Sequence, residues 1–257
     1  MLKRGTGTAV ALLLVCVCSI VAAGAWAGAT LIVQASFTPN ELGAPTNLSA
    51  SVTLARGQGT LSPVRNLVVY GPAGLGLNVR GLATCERTRL ESDGPSGCPA
   101  TSRVGFGGGV TTAELGGTSV RERYTLDLFL APRERGRLAA LVYVDALDPI
   151  SLQFVLTARE VRAPRPYGLG LAVDVPPLPT IPGAANAAVE SGYVSIGGAN
   201  IAYYETIHGA RKLVHVKGLL APATCPTGGF PFEVMASFED GTTSVGRYAS
   251  PCPERRR

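Results

Sequence analysis

The chain has two histidines, His208 and His215, which are the first residues to consider as metal ligands. They flank a short turn, so they could lie on opposite strands of a hairpin, offset by about one residue pair from directly facing each other. With Glu205 they would offer nitrogen and oxygen ligands of the kind that zinc accepts. The alternative places one histidine in the turn and the other on the surface of a strand. We adopt this alternative and predict no metal site.

Carboxylates within or beside predicted strands form a second group that could do chemistry. Two of them about 5 to 9 Å apart could hydrolyse a glycosidic bond as an acid and a base or nucleophile. The alternative is that they face solvent or end strands. The sequence has neither His-Glu-x-x-His nor Gly-x-Ser-x-Gly. We therefore predict no catalytic and no cofactor-binding residue, and keep an extracellular carbohydrate-active hydrolase as the alternative function. The acids considered are Asp127, Asp145, Asp148, Glu160 and Asp174.

Tyrosines offer a third kind of site, an aromatic platform on which a sugar ring could stack. Tyr203 and Tyr204 are consecutive in the sequence, and Tyr193 precedes them. Because successive side chains of a strand point to opposite faces, at most one of Tyr203 and Tyr204 can join such a platform. The alternative is a role in the core or at its rim.

The N-terminus has the pattern of a secretory signal peptide over residues 1–27. Lys3 and Arg4 precede an uncharged apolar run over residues 9–23, and Ala25-Trp26-Ala27 fits the small-x-small cleavage rule. The alternative is a membrane anchor retained over residues 9–27. Cleavage would remove Trp26, the single tryptophan of the chain.

Cleavage would also leave four of the six cysteines, Cys85, Cys98, Cys225 and Cys252. An even number in an exported chain predicts structural disulfides. Three pairings are open, of which the sequential one closes the shortest loops. The chain has no Cys-x-x-Cys, so the cysteines do not indicate a zinc or redox site.

The body, residues 28–253, alternates apolar and polar residues in short runs between turn residues. The run 120–130 and the run 138–144 predict a central hairpin, and Asp240-Gly241 predicts a tight turn. Gly107-Gly108-Gly109 predicts a bulge or a close approach of backbones. We expect an all-β, β-sandwich-like fold of about ten to twelve antiparallel strands. It could divide into two stacked halves near residues 116–136, and residues 254–257 form a basic tail.

The cysteine-containing segments resemble a pattern in exported proteins of high-GC actinobacteria that carry no assigned activity. The residues concerned are Leu82-Ala83-Thr84-Cys85, then Cys98-Pro99 after twelve intervening residues, and the closing stretch from Cys225-Pro226 to Cys252-Pro253. The resemblance implies secretion and a β-rich fold, and it implies no site residue.

The net charge of +5 reflects the two termini rather than the body. Lys3, Arg4 and the arginines of residues 255–257 account for it, so the body is nearly neutral and nucleic acid is not an expected partner. We expect a structural or binding role at the cell envelope or outside the cell, with an envelope polysaccharide or a protein as candidate partner. A membrane partner is expected only if the N-terminal segment is retained.

Overall fold

The computed structural model describes residues 29–55, 61–115, 118–148, 151–177, 187–198 and 202–254. The signal segment 1–27 and residues 255–257 of the basic tail lie outside this part. So do the side chains of Asp148 and Tyr203. No helix among the described residues is both long enough and apolar enough to span a membrane.

The described residues form fifteen strands and one α-helix, so the all-β prediction is confirmed. The helix α1 spans Arg87–Asp93, and single 3-10 turns follow at Pro95–Gly97 and Ala100–Ser102. The strands are β1 (Thr30–Thr38), β2 (Pro45–Ala55), β3 (Val64–Pro72), β4 (Gly76–Asn78), β5 (Arg103–Leu115), β6 (Thr118–Leu130), β7 (Ala139–Asp148), β8 (Leu152–Val161), β9 (Tyr167–Asp174), β10 (Ala188–Gly197), β11 (Ala202–Ile207), β12 (Ala210–His215), β13 (Gly218–Leu220), β14 (Phe230–Phe238) and β15 (Thr243–Ser250).

Thirteen of these strands belong to one antiparallel sheet. Its order is β15-β14-β3-β9-β8-β7-β6-β5-β10-β2-β13-β4, and β1 pairs with β2 beside this path. The predicted central hairpin is β6–β7, and the predicted turn at Asp240-Gly241 joins β14 to β15. The region 116–136, considered above as a division, contains β6, which pairs with both β5 and β7. β11 and β12 form a separate two-stranded sheet.

The sheet folds back on itself, so that β1 and β2 pack against β14. β1 alternates strictly, with Leu31, Val33 and its other odd-numbered apolar residues buried. Two clusters join this side of β1 to the matching side of β14, which includes Phe230 and Phe232. Each such side chain stabilises the fold by roughly 1.5–3 kcal/mol when it leaves water. We call the face that shares these clusters the inner face.

Helix α1 covers the opposite, outer face of the sheet at β6–β8. Leu90 of α1 is fully buried in a cluster with Phe129, Leu141 and other outer-face residues. The Arg87 guanidinium donates hydrogen bonds to the Thr157 hydroxyl and to a main-chain carbonyl of β8, both at 2.9 Å. These contacts fix a helix that is too short to be stable alone.

Two disulfides, Cys85–Cys98 and Cys225–Cys252, are formed, which confirms the structural role predicted for all four cysteines. The pairing is the sequential one, with Cα atoms 5.3 and 5.8 Å apart. The first disulfide joins the residues just before and shortly after α1, and the second joins the segment before β14 to the segment after β15. Each closes a loop of the unfolded chain and thereby stabilises the fold by about 3 kcal/mol.

Candidate binding surface

The histidine pair is separated by the register of the β11–β12 hairpin. His208 and Gly209 are the two residues of the turn, with φ of 51° and 78°, while His215 pairs with Ala202 at the other end. A six-residue strand is about 17 Å long, so the two histidines lie far apart. His208 is in the turn and His215 is exposed on a strand, which confirms the alternative adopted from the sequence. No three His, Cys, Asp or Glu residues of the described chain are grouped so that they could hold a metal.

Asp127 and Asp145 are the two considered acids that the sheet brings near each other. Asp127 pairs with Tyr143, whereas Asp145 is two residues further along β7 on the same outer face. Burial, together with the negative charge of Asp145 and Asp127, raises the pKa of the Tyr143 phenol. Arg103 forms an ion pair with Asp127, and Gln153 donates a hydrogen bond to Asp145 at 3.1 Å.

The other considered acids with described side chains hold strands together elsewhere. Glu160 accepts a hydrogen bond from the Leu138 main-chain N–H at 2.8 Å. Asp174 accepts one from the Asn66 side chain, also at 2.8 Å. Both therefore serve contacts within the sheet.

A polar cluster that the sequence did not indicate lies on the outer face around the buried Glu233. Its carboxylate accepts hydrogen bonds from the Arg247 guanidinium at 2.5 Å and from the Tyr167 hydroxyl at 3.2 Å. The Tyr167 ring stacks on Tyr70, with centroids 5.6 Å apart. These contacts connect β15, β14, β3 and β9, so the cluster holds four neighbouring strands together.

Two exposed aromatic side chains, Phe106 and Tyr193, share the outer face of β5 and β10. Their exposures are 51% and 52%. Phe106 pairs with Ser195, and Tyr193 is two residues earlier on β10, which makes the two residues diagonal neighbours with Cα atoms about 7 to 8 Å apart. We call this pair the aromatic face. Tyr193 was one of the platform residues considered from the sequence, whereas Phe106 was not.

Gly108 leaves room for the Tyr193 ring on the aromatic face. It pairs with Tyr193, and a Cβ atom at this position would lie 3.5 Å from the Tyr193 ring and 2.6 Å from the Tyr124 carbonyl oxygen. The Tyr193 ring therefore lies over the glycine. The close approach of backbones predicted for Gly107-Gly108-Gly109 is confirmed, because Cβ atoms there would meet carbonyls of β6 or β10.

Small polar side chains surround the two rings. Ser51 of β2 pairs with Tyr193. Phe106 pairs with Asp127 of β6 on one side and with Ser195 of β10 on the other. Directly paired residues have Cβ atoms about 5 Å apart, so hydroxyl and carboxylate groups stand beside both rings. The face thus combines an apolar surface with hydrogen-bonding groups at its margin.

Tyr124 supports the aromatic face from the inner side of the sheet. Its hydroxyl donates a hydrogen bond to the Ser191 carbonyl at 3.1 Å, which ties β6 to β10 across β5. A Cβ atom at Gly192 would lie 2.8 Å from this hydroxyl, so the glycine makes room for the ring. Burial raises the pKa of Tyr124 to about 12.

Tyr204 lies in the β11–β12 hairpin rather than in the main sheet. It is 60% exposed, and the Arg211 guanidinium lies 4.2 Å from the centre of its ring. The tyrosines considered together from the sequence are therefore distributed over two sheets, with Tyr193 beside Phe106 and Tyr204 beside Arg211.

Comparison with known proteins found no matching family model, no matching curated protein and no matching solved structure.

Proposed function

We propose that this chain is an exported, disulfide-stabilised β-domain protein that binds polysaccharide at the cell envelope or outside the cell. The observation that carries the binding role is the pair of exposed rings, Phe106 and Tyr193, at diagonal positions on neighbouring strands of one face of the sheet. We place the protein among exported chains because its disulfides need an oxidising compartment to persist.

The chemistry of the aromatic face suits a sugar chain. The carbon-bound hydrogens of a pyranose ring carry a slight positive charge and stack on the negative face of an aromatic ring. Serine hydroxyls at the margin, such as those of Ser51 and Ser195, can exchange hydrogen bonds with sugar hydroxyls. Isolated exposed apolar residues are common on proteins, but two rings that adjoin on one face form a patch.

The binding role is tested with the exported protein and a panel of polysaccharides. The panel comprises laminarin, a soluble galactan and soluble peptidoglycan fragments, and binding is measured by calorimetry. An aromatic contact contributes about 1 kcal/mol beyond its buried area, so Phe106→Ala with Tyr193→Ala should weaken binding about 30-fold or more.

Tyr204→Ala is the matched control, since it removes an equally exposed tyrosine from the other sheet. It should bind like the wild type. The proposal fails if the wild type binds no member of the panel, or if the double variant binds as tightly as the wild type.

Export is tested separately by mass spectrometry of the protein recovered outside the cell. Signal cleavage after Ala27 would give a mature chain that begins at Gly28. Recovery of the protein only in the membrane fraction, with residues 9–27 still present, would instead establish the anchored alternative.

A further inference from the structure

The β11–β12 hairpin exposes both of its faces and pairs with no other strand of the described chain. An isolated two-stranded hairpin is marginally stable in water. A hairpin of this kind that also exposes large apolar side chains gains stability when a second surface covers it.

One face of the hairpin carries an apolar pair. Tyr204 and Leu213 are directly paired across the strands and are 60% and 51% exposed. They are two of the large hydrophobic residues that the described chain leaves exposed to water, and they lie opposite each other on the two strands of the hairpin. This face also includes Thr206, which pairs with Arg211.

The same face is cationic. Arg211 lies over the Tyr204 ring, and His215 pairs with Ala202 at the base of the hairpin. The acid Glu205 belongs to the other face, where it pairs with Lys212. The face with Tyr204 thus presents two apolar side chains and a permanent positive charge without an acid among its described residues.

The size of this face decides between possible occupants. Six paired residues span about 17 Å, and two strands with their side chains are about 10 to 15 Å wide, which gives roughly 170–250 Å². A stable protein–protein interface needs about 800 Å² from each partner. A second copy of the chain would also bring a second cationic face against the first, and like charges repel.

A lipid surface needs neither a large area nor a complementary shape. Tyrosine and leucine enter the boundary between headgroups and acyl chains, and arginine pairs with anionic headgroups while its stem covers apolar surface. We propose that the Tyr204–Leu213 face of the hairpin docks the protein onto anionic phospholipid. This site is independent of the aromatic face proposed above to bind polysaccharide.

The experiment is vesicle co-sedimentation with the exported protein. Vesicles of phosphatidylcholine mixed with phosphatidylglycerol should retain the wild type, whereas vesicles of phosphatidylcholine alone should retain much less. Retention should fall as salt is added, because the Debye length shortens to about 3 Å at 1 M. Equal retention by both kinds of vesicle, or by neither, would overturn the proposal.

Variants then locate the site. Leu213→Ser should reduce retention, and Arg211→Gln should reduce it about fivefold, the usual contribution of one cation near such a surface. Glu205→Gln changes the other face of the same hairpin, and it should retain at least as well as the wild type. Tyr193→Ala, on the main sheet, should behave like the wild type. Retention that is indifferent to Leu213 would refute docking by this face.

A soluble anionic polymer separates charge alone from lipid docking. If dextran sulfate binds the wild type and Leu213→Ser equally and displaces both from vesicles to the same extent, charge alone explains the binding and the lipid assignment fails. If dextran sulfate leaves a difference between the two proteins on vesicles, the apolar pair enters the lipid as proposed.

Discussion

Replacing Tyr124 by phenylalanine tests how the sheet beneath the aromatic face is held together. The substitution removes the hydroxyl that bonds to the Ser191 carbonyl and keeps the ring. At pH 8 the loss of this hydrogen bond should lower the free energy of unfolding by about 1 kcal/mol. The effect should change sign at high pH.

The magnitude at high pH follows from the pKa of Tyr124. The value is about 12 in the folded chain, against 10.0 for an ordinary tyrosine. At about 1.36 kcal/mol per pH unit, this difference corresponds to about 2.7 kcal/mol. Burial favours the neutral phenol, so this stability is fully present below pH 10 and is lost as the pH rises from 10 to about 12.

Urea unfolding of both proteins between pH 8 and pH 12 measures the outcome. The wild type should be more stable at pH 8, and the two stability curves should cross at about pH 10 to 11, where the loss in the wild type reaches about 1 kcal/mol. Tyr193→Phe, which changes an exposed tyrosine, controls for the substitution itself. Parallel curves for the wild type and Tyr124→Phe over the whole range would refute the assigned burial of this phenol.

Three further outcomes are expected. Replacing Cys225 and Cys252 together by serine should lower the free energy of unfolding by about 3.5 kcal/mol, as measured in urea, because their separation of 27 residues closes a long loop. Gly246→Ala should cost about 1–3 kcal/mol in the same assay, since its Cβ would lie 2.6 Å from the Leu31 carbonyl oxygen. An exported chain cleaved after residue 27 has lost Trp26, so its fluorescence spectrum should show tyrosine emission without tryptophan emission.

The elements that the sequence predicted correctly are those that local patterns determine. The alternation of residues 120–130 has a period of two, which by itself identifies a strand with one buried face. The turn at Asp240-Gly241 needs a positive φ, which Gly241 adopts at 80°. The sequence also predicted disulfides among the four cysteines but left three pairings open, of which the structure shows the sequential one.

The aromatic face could not be predicted from the sequence, because it depends on the register between β5 and β10, which no local pattern reveals. Phe106 lies between glycines, so its strand lacks the side-chain alternation that indicates an exposed position. Its neighbour Tyr193 is far away in the sequence, and the pairing between β5 and β10 shifts register between Val189 and Ser191. The signal that could have found Phe106 is Gly108, two residues later, which shares its face of the strand and leaves no side chain beside the ring on that side.

The cross-strand contact considered for the two histidines does not form, for a simpler reason. A hairpin brings together residues that are equally distant from its turn, and His208 is itself a turn residue. A spacing of seven would favour cross-strand contact only if the turn lay midway between the two histidines. The two-residue turn at His208-Gly209 instead sends His215 to the far end of β12.

The two proposed surfaces differ in charge and support, and this difference makes them separable. The aromatic face lies on the main sheet, where Gly108 and Tyr124 fix the backbone beneath it, so its rings lose little freedom when a ligand binds. The hairpin face has only its partner strand for support, and a lipid surface that covers Tyr204 would itself stabilise the hairpin. Substitutions in the sheet beneath the rings should therefore weaken sugar binding. Added salt and substitution of Leu213 should instead weaken lipid docking. A variant that abolished both activities at once would indicate loss of the whole fold rather than loss of either site.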